Sequence, residues 1–156
     1  VDDRRWLELA CDLARLCPPS DTAFSVGAVI VGADGREIAR GHSREADPHA
    51  HAEESALAKV TTGREPPDPG AAALLRAPGT TVYSSLEPCG QRMSRRLTCT
   101  DLIIAAGISR VVFAWREPSV FVEGKGVELL GAMGVEVVQI PDLADRAREP
   151  NAHLLG

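Results

Sequence analysis

Three side chains of the kinds that bind transition metals, the imidazole of His51 and the thiols of Cys89 and Cys99, stand in three separate stretches, each punctuated so that the donor falls at the end of a regular element. His51-Ala52-Glu53 opens a stretch with Glu53-Glu54 in its first turn and Leu57 and Val60 on its inner side, the pattern of a helix start. Cys99 precedes Leu102, Ile103, Ile104 and Ala106 and ends at Gly107, again a helix start, with a glycine stop. Cys89 closes Glu87-Pro88-Cys89, directly after the strand-like Thr81-Val82-Tyr83-Ser84-Ser85. Positions two apart do not share a helix face, so His51 and Glu53 reach one site only if it lies over the helix N-terminus. A fold that uses these residues together must bring two helix starts and one strand end to one point.

Zinc takes nitrogen and sulfur ligands in a tetrahedron, and a catalytic site keeps one corner open for water. His51, Cys89 and Cys99 supply three corners. Two thiolates neutralise the ion's charge, which leaves the water less acidic than in an all-imidazole site. A separate base is then required, and Glu53 fits: it can take the proton from water, pass it to a ring nitrogen of the substrate and help protonate departing ammonia. Hydrolytic deamination is the reaction implied. H-x-E followed by P-C-x-x-C is the described signature of zinc nucleobase deaminases. Here the second spacing is C-x9-C, so Gly90 to Thr98 must loop out before Cys99 returns. Thiolate-rich ligation favours zinc, with iron the second candidate. The plain alternative is that both cysteines are buried apolar thiols and His51 a helix-start histidine. His49 is the alternative imidazole, but only His51 is followed by Ala-Glu.

A length of 156 residues corresponds to one domain, residues 1–156, with a core over about 4–140. Four cysteines, two of them claimed by the metal, do not form a disulfide framework; Cys11 and Cys17 read as core thiols in a reducing compartment. Val1 to Trp6 has no apolar stretch of signal length and no run of about eighteen apolar residues occurs, so a cytoplasmic protein without a membrane partner is expected. A net charge of -5 argues against a nucleic-acid surface. Arg92, Arg95 and Arg96 nevertheless concentrate positive charge between the two site cysteines. Guanidinium groups hold phosphate through paired hydrogen bonds, which suggests an anionic substrate with Arg92 as the preferred contact; the alternative is a solvated loop.

Trp6 to Cys17 recurs at helical spacing until Pro18-Pro19 stops it. Phe24 to Val31 and Glu37 to His42 form an antiparallel hairpin about Ala33-Asp34-Gly35-Arg36. Gly63 to Gly79 is a polar excursion with a short helical turn around Ala71 to Leu75. Further strands follow at Thr81 to Ser85, Arg110 to Trp115 and Val135 to Ile140, with a helix at Gly126 to Met133. This alternation implies a largely parallel sheet covered on both faces, with ligands binding beyond the strands' carboxyl ends, where Cys89 falls. The tail from Pro141, His153 included, carries no motif.

Thr22 to Val31, Gly41-His42-Ser43-Arg44-Glu45, His51-Ala52-Glu53, Glu87-Pro88-Cys89 with Arg92 and Ser94 before Cys99, and Arg116-Glu117-Pro118 with Phe121-Val122 together resemble the cytidine deaminase superfamily. Within it they are most similar to the pyrimidine deaminases of riboflavin biosynthesis, in the fungal form, from about Trp6 to Ile140. The asparagine-proline pair and the glycine, arginine and paired prolines usual in the bacterial forms are absent. The resemblance implies an α/β fold, a three-layer α-β-α sandwich about a central mixed five-stranded sheet. It also implies a zinc ion on His51, Cys89 and Cys99, Glu53 as proton shuttle, and a homodimer or higher homo-oligomer. Its substrate would be a 2,5-diamino-4-pyrimidinone carrying a ribosylamino or ribitylamino 5-phosphate, with any reduction step supplied by a separate reductase. His42, Ser43, Arg44, Glu45, Arg92 and Ser94 become candidate substrate contacts, although His42 reads equally as a plain strand-end histidine and Ser43 to Glu45 as a turn. Cytosine, cytidine or deoxycytidylate is the rival substrate within the same chemistry. A zinc-binding module without catalysis is the rival from another class, and intact Glu53 speaks against it.

Overall fold

The structure, a computed structural model, describes residues 2–61, 69–90, 97–116 and 126–155. The chain opens with helix α1 (Asp3–Leu13), whose first turn is capped by the Asp2 carboxylate accepting from the Arg5 amide at 3.0 Å. A 3-10 turn at Ala14–Leu16 ends it ahead of the two prolines. Strands β1 (Gly27–Val31) and β2 (Glu37–His42) pair antiparallel around a turn in which Gly35 adopts φ 82°, a left-handed conformation that glycine takes without strain. β1 is shorter than the strand expected over Phe24 to Val31. Before Gly27, side chains replace the ladder: the Ser25 amide donates to Asn151 Oδ1 at 2.6 Å and the Val26 amide to Ser43 Oγ at 2.9 Å.

Then follow α2 (Ala52–Thr61), α3 (Pro69–Arg76), β3 (Thr81–Leu86), α4 (Cys99–Ala106), β4 (Arg110–Trp115), α5 (Gly126–Ala132), β5 (Glu136–Gln139) and α6 (Ala144–Arg148). The sheet order is β2-β1-β3-β4-β5. β3, β4 and β5 are parallel, whereas β1 runs antiparallel to both β2 and β3. The sheet is therefore mixed, and the largely parallel arrangement expected from strand-helix alternation holds only for its β3-β4-β5 half. β2 and β3 run in the same direction with β1 between them, so α2 is the crossover of a parallel pair whose gap is filled by the first strand of the hairpin.

Two apolar cores flank the sheet. On one face Leu7, Ala10 and Leu13 of α1 meet Tyr83, Val112 and the α6 residues Ala144 and Ala147. On the other, Ala56 and Leu57 of α2, Leu75 of α3, Ile103 of α4 and Leu130 of α5 cover Ile30, Val82 and Val111. This is the three-layer sandwich. The tail beyond Pro141 belongs to it: Leu143, Ala144 and Ala147 are buried, and Asn151 is fully buried with its amide donating to the Ser25 carbonyl. A five-residue helix is too short to display an apolar period, so no such role was visible in the sequence. No described helix is long and apolar enough to cross a membrane.

At the N-terminal end of the parallel strands, away from the end that Cys89 follows, Arg110 of β4 makes a two-pronged pair with Asp3 at 2.7 Å for each bond, and the buried Tyr83 hydroxyl donates to the same carboxylate at 2.6 Å. The Arg110 guanidinium holds the Asp3 carboxyl below its ordinary value of 3.8, with the Tyr83 bond adding to it against the opposing effect of burial. A depressed carboxyl stabilises the fold above its unfolded pKa, and that contribution disappears as the pH falls through the folded value. Asp3→Asn should therefore cost about 1–2 kcal/mol at neutral pH and flatten the loss of stability below about pH 4. Urea unfolding across the acid range measures this; parallel curves for the two proteins would count against the linkage.

Candidate metal centre

His51 sits immediately ahead of α2. Its carbonyl accepts the Ser55 amide, the first bond of the helix, and its amide donates to Glu54 Oε1 at 3.1 Å, half of a capping box. Gly41 of β2 lets this helix lie close to the sheet. A Cβ at Gly41 would stand 2.7 Å from both the Ala52 carbonyl oxygen and the Ala56 nitrogen. Cys99 begins α4, where Thr98 and Asp101 form a complete capping box, each side chain accepting the other's backbone N–H at 3.1 Å. Gly107, at φ 78°, closes the same helix as expected. Cys89 follows β3 and is clasped by α4, since the Thr100 amide and hydroxyl both donate to its carbonyl, at 3.2 and 2.8 Å.

These three element ends converge. The Nδ1 atom of His51 lies 3.5 Å from Cys89 Sγ and 3.3 Å from Cys99 Sγ, and the donor atoms of all three lie within 4.8 Å of one another. Zinc–nitrogen and zinc–sulfur bonds of about 2.0 and 2.3 Å at tetrahedral angles place nitrogen and sulfur roughly 3.5 Å apart. The donor set thus fits a tetrahedral ion bound through Nδ1. Both thiols are buried and His51 is half-buried. The Cys89 thiol is drawn down to about 4, first by hydrogen bonding with Cys99 and then by His51 and the Cys99 amide, which lies 3.2 Å from its sulfur; burial opposes this. These surroundings favour the anionic form of Cys89, the form that binds a cation. Cys11, by contrast, is pushed up to about 11 by burial and is an inert core thiol.

Glu53 lies in the first turn of α2, 4% exposed, with Oε1 accepting from the Ser84 hydroxyl of β3 at 2.6 Å. The residues offered as substrate contacts are placed differently. Ser43 is buried, its hydroxyl accepting from the Val26 amide and facing the Val26 carbonyl at 3.4 Å, so it continues the hairpin. Arg44, at φ 58°, donates to the carbonyls of Pro18 and Phe24 and to Ser25 Oγ, fastening the segment that leads into β1. Glu45 accepts from Lys59 Nζ at 2.7 Å and from the His42 amide at 3.3 Å. The His42 ring, half-buried, has Nδ1 3.2 Å from the Ser43 carbonyl. Arg92 and Ser94 lie outside the described residues.

Two residues given no role in the sequence reading support the centre. Glu87 is buried, accepts the Val127 amide at the start of α5 at 2.9 Å and faces Arg116 Nε at 3.8 Å. It joins the Glu-Pro-Cys segment to α5, which approaches so closely that a Cβ on Gly126 would fall 1.8 Å from the Pro88 carbonyl oxygen. Ser84 is the other; a hydroxyl on the Val82 face of a strand was its only signal.

Residues 1–115 match the family described as the cytidine and deoxycytidylate deaminase zinc-binding region. The chain belongs to that family. The diaminohydroxyphosphoribosylamino-pyrimidine deaminase of Schizosaccharomyces pombe is 40% identical over 130 residues, covering 83% of this chain and 30% of the relative. The riboflavin biosynthesis protein RibD of Aquifex aeolicus is 35% identical over 153 residues, covering 96% and 37%. This chain thus spans about a third of the length of these relatives. The Aspergillus oryzae Rib2 deaminase superposes over the whole of both chains with a TM-score of 0.80 at 27% identity. In its complex with DARIPP that enzyme superposes with a TM-score of 0.79 over 99% of this chain and 97% of its own, at 24% identity.

Proposed function

We propose that this deaminase-family domain hydrolyses the ring amino group of a phosphorylated diaminopyrimidine of the riboflavin-pathway type, releasing ammonia, with His51, Cys89 and Cys99 holding zinc and Glu53 moving the proton. The observation that carries the reading is the 3.5 and 3.3 Å separation of His51 Nδ1 from the two sulfurs, which fits a tetrahedral zinc site. The names of the relatives, and the DARIPP complex of the Aspergillus enzyme, support the substrate class. When bound, zinc supplies a Lewis acid that makes water a nucleophile near neutral pH. Glu53 takes one proton from water and delivers it to the ring nitrogen beside the attacked carbon, where it stays, and then takes the second, from the added hydroxyl, and passes it to the departing amine. The carbon–nitrogen bond to the amino group breaks, a carbon–oxygen bond replaces it, and ammonia leaves. Cys89 and Cys99 would hold the ion from buried positions, and His51 is kept in place by the start of α2. Arg92, with Arg95 and Arg96, is assigned to the substrate phosphate. A cytoplasmic homodimer or higher homo-oligomer completes the reading.

The test is ammonia release by the zinc-loaded protein on the ribosylamino and ribitylamino diaminopyrimidine phosphates, compared with cytosine, cytidine and deoxycytidylate. Turnover confined to the diaminopyrimidines is expected. Turnover confined to the cytosine compounds would keep the zinc chemistry and overturn the substrate.

A further inference from the structure

Ser84 has no access to solvent. It lies in β3 between Ala28 of β1 and Phe113 of β4, on the strand face that carries Val82 toward α2. Alanine or valine would satisfy such a position, and a hydroxyl buried there is costly unless it is hydrogen-bonded. The Ser84 oxygen is 2.6 Å from Glu53 Oε1 and 2.7 Å from the carbonyl oxygen of Leu86. One proton faces two acceptors, and the charged carboxylate is the stronger. Rotation about the Cβ–Oγ bond turns the proton to the Leu86 carbonyl and presents a lone pair to Glu53. The same contact therefore serves a carboxylate and a carboxylic acid. Among the described residues Ser84 is the side chain hydrogen-bonded to Glu53.

We propose that Ser84 is a positioning residue for Glu53: its hydroxyl, fixed to the middle of the sheet, holds Oε1 and leaves Oε2 for the proton that Glu53 moves. This rests on the assignment of Glu53 as the proton carrier. A carboxyl at the start of a helix has several rotamers, and proton transfer requires hydrogen-bond distance. A partner in the central layer of the sheet selects one of them.

The experiment compares zinc-loaded wild type, Ser84→Ala and Ser84→Thr by zinc content, steady-state kinetics and crystal structures, and adds Ser84→Ala in a Glu53→Ala background. Ser84→Ala is expected to keep its zinc and its KM and to lose about 10- to 100-fold in kcat. Its Glu53 carboxylate should leave the wild-type position. Ser84→Thr should restore kcat to within about threefold, and the alanine should cost nothing further once Glu53 is gone. Glu53 unmoved in Ser84→Ala, a kcat drop that follows zinc loss, or an equal drop in the Glu53→Ala background would each overturn the proposal. Should Ser84→Ala fail to fold, Ser84→Cys, which keeps the volume and weakens the donor, is read by the same criteria. A wild type that releases no ammonia from any substrate above would refute the functional reading, and the position of Glu53 in the zinc-loaded variants would still decide the role of Ser84.

Discussion

Glu53→Gln should abolish most ammonia release while leaving fold and metal in place. Glutamine keeps the shape of the side chain and an oxygen to accept the Ser84 hydroxyl now bonded to Glu53 Oε1, but it has no carboxylate with which to take a proton from water. General acid-base catalysis contributes about 10²- to 10⁴-fold, and here one group serves both proton transfers, so the loss in kcat should lie toward the upper end of that range. KM should change little, because the ligands and the surrounding elements are untouched. Zinc content by elemental analysis and ammonia release on the same preparation test this together. A variant with bound zinc and unimpaired turnover would remove Glu53 from the chemistry.

Cys89→Ala should remove the metal. Cys89 is buried, with α4 fastened to its carbonyl, and the loss of its sulfur leaves His51 and Cys99 as two donors where three are needed. Wild-type protein with zinc at about a thousand times its dissociation constant gains roughly 4 kcal/mol of stability, which for a domain of this size raises Tm by about 10 °C. The alanine variant should show no such rise, no bound zinc and no turnover, and a chelator should bring the wild type to the same Tm as its metal-free form. A variant that still binds one zinc would show that other residues hold the ion.

The element ends that meet at the centre were legible because each carries a local signal. Cys99 is followed by an apolar turn and a glycine stop, and Thr98 with Asp101 is a capping pair readable three residues apart. The contacts that were not legible join distant residues: Ser84 to Glu53 across 31 positions, Glu87 to Val127 across 40, Asn151 to Ser25 across 126. No local pattern announces them, since each side chain is polar in a segment that is otherwise apolar or irregular. Arg44, offered by the resemblance as a substrate contact, is similar: it donates to the carbonyls of Pro18 and Phe24, 26 and 20 positions away. The direction of β1 relative to β3 was hidden for a similar reason, because alternating strands and helices do not reveal which gap the opening hairpin fills.

The most direct measurement is anomalous diffraction at the zinc edge from crystals grown with one equivalent of the metal. A single peak is predicted about 2.0–2.4 Å from His51 Nδ1, Cys89 Sγ and Cys99 Sγ, with the fourth position held by water and no protein ligand. A fourth side chain closing the tetrahedron, or no peak among these three residues, would contradict a hydrolytic centre at this site.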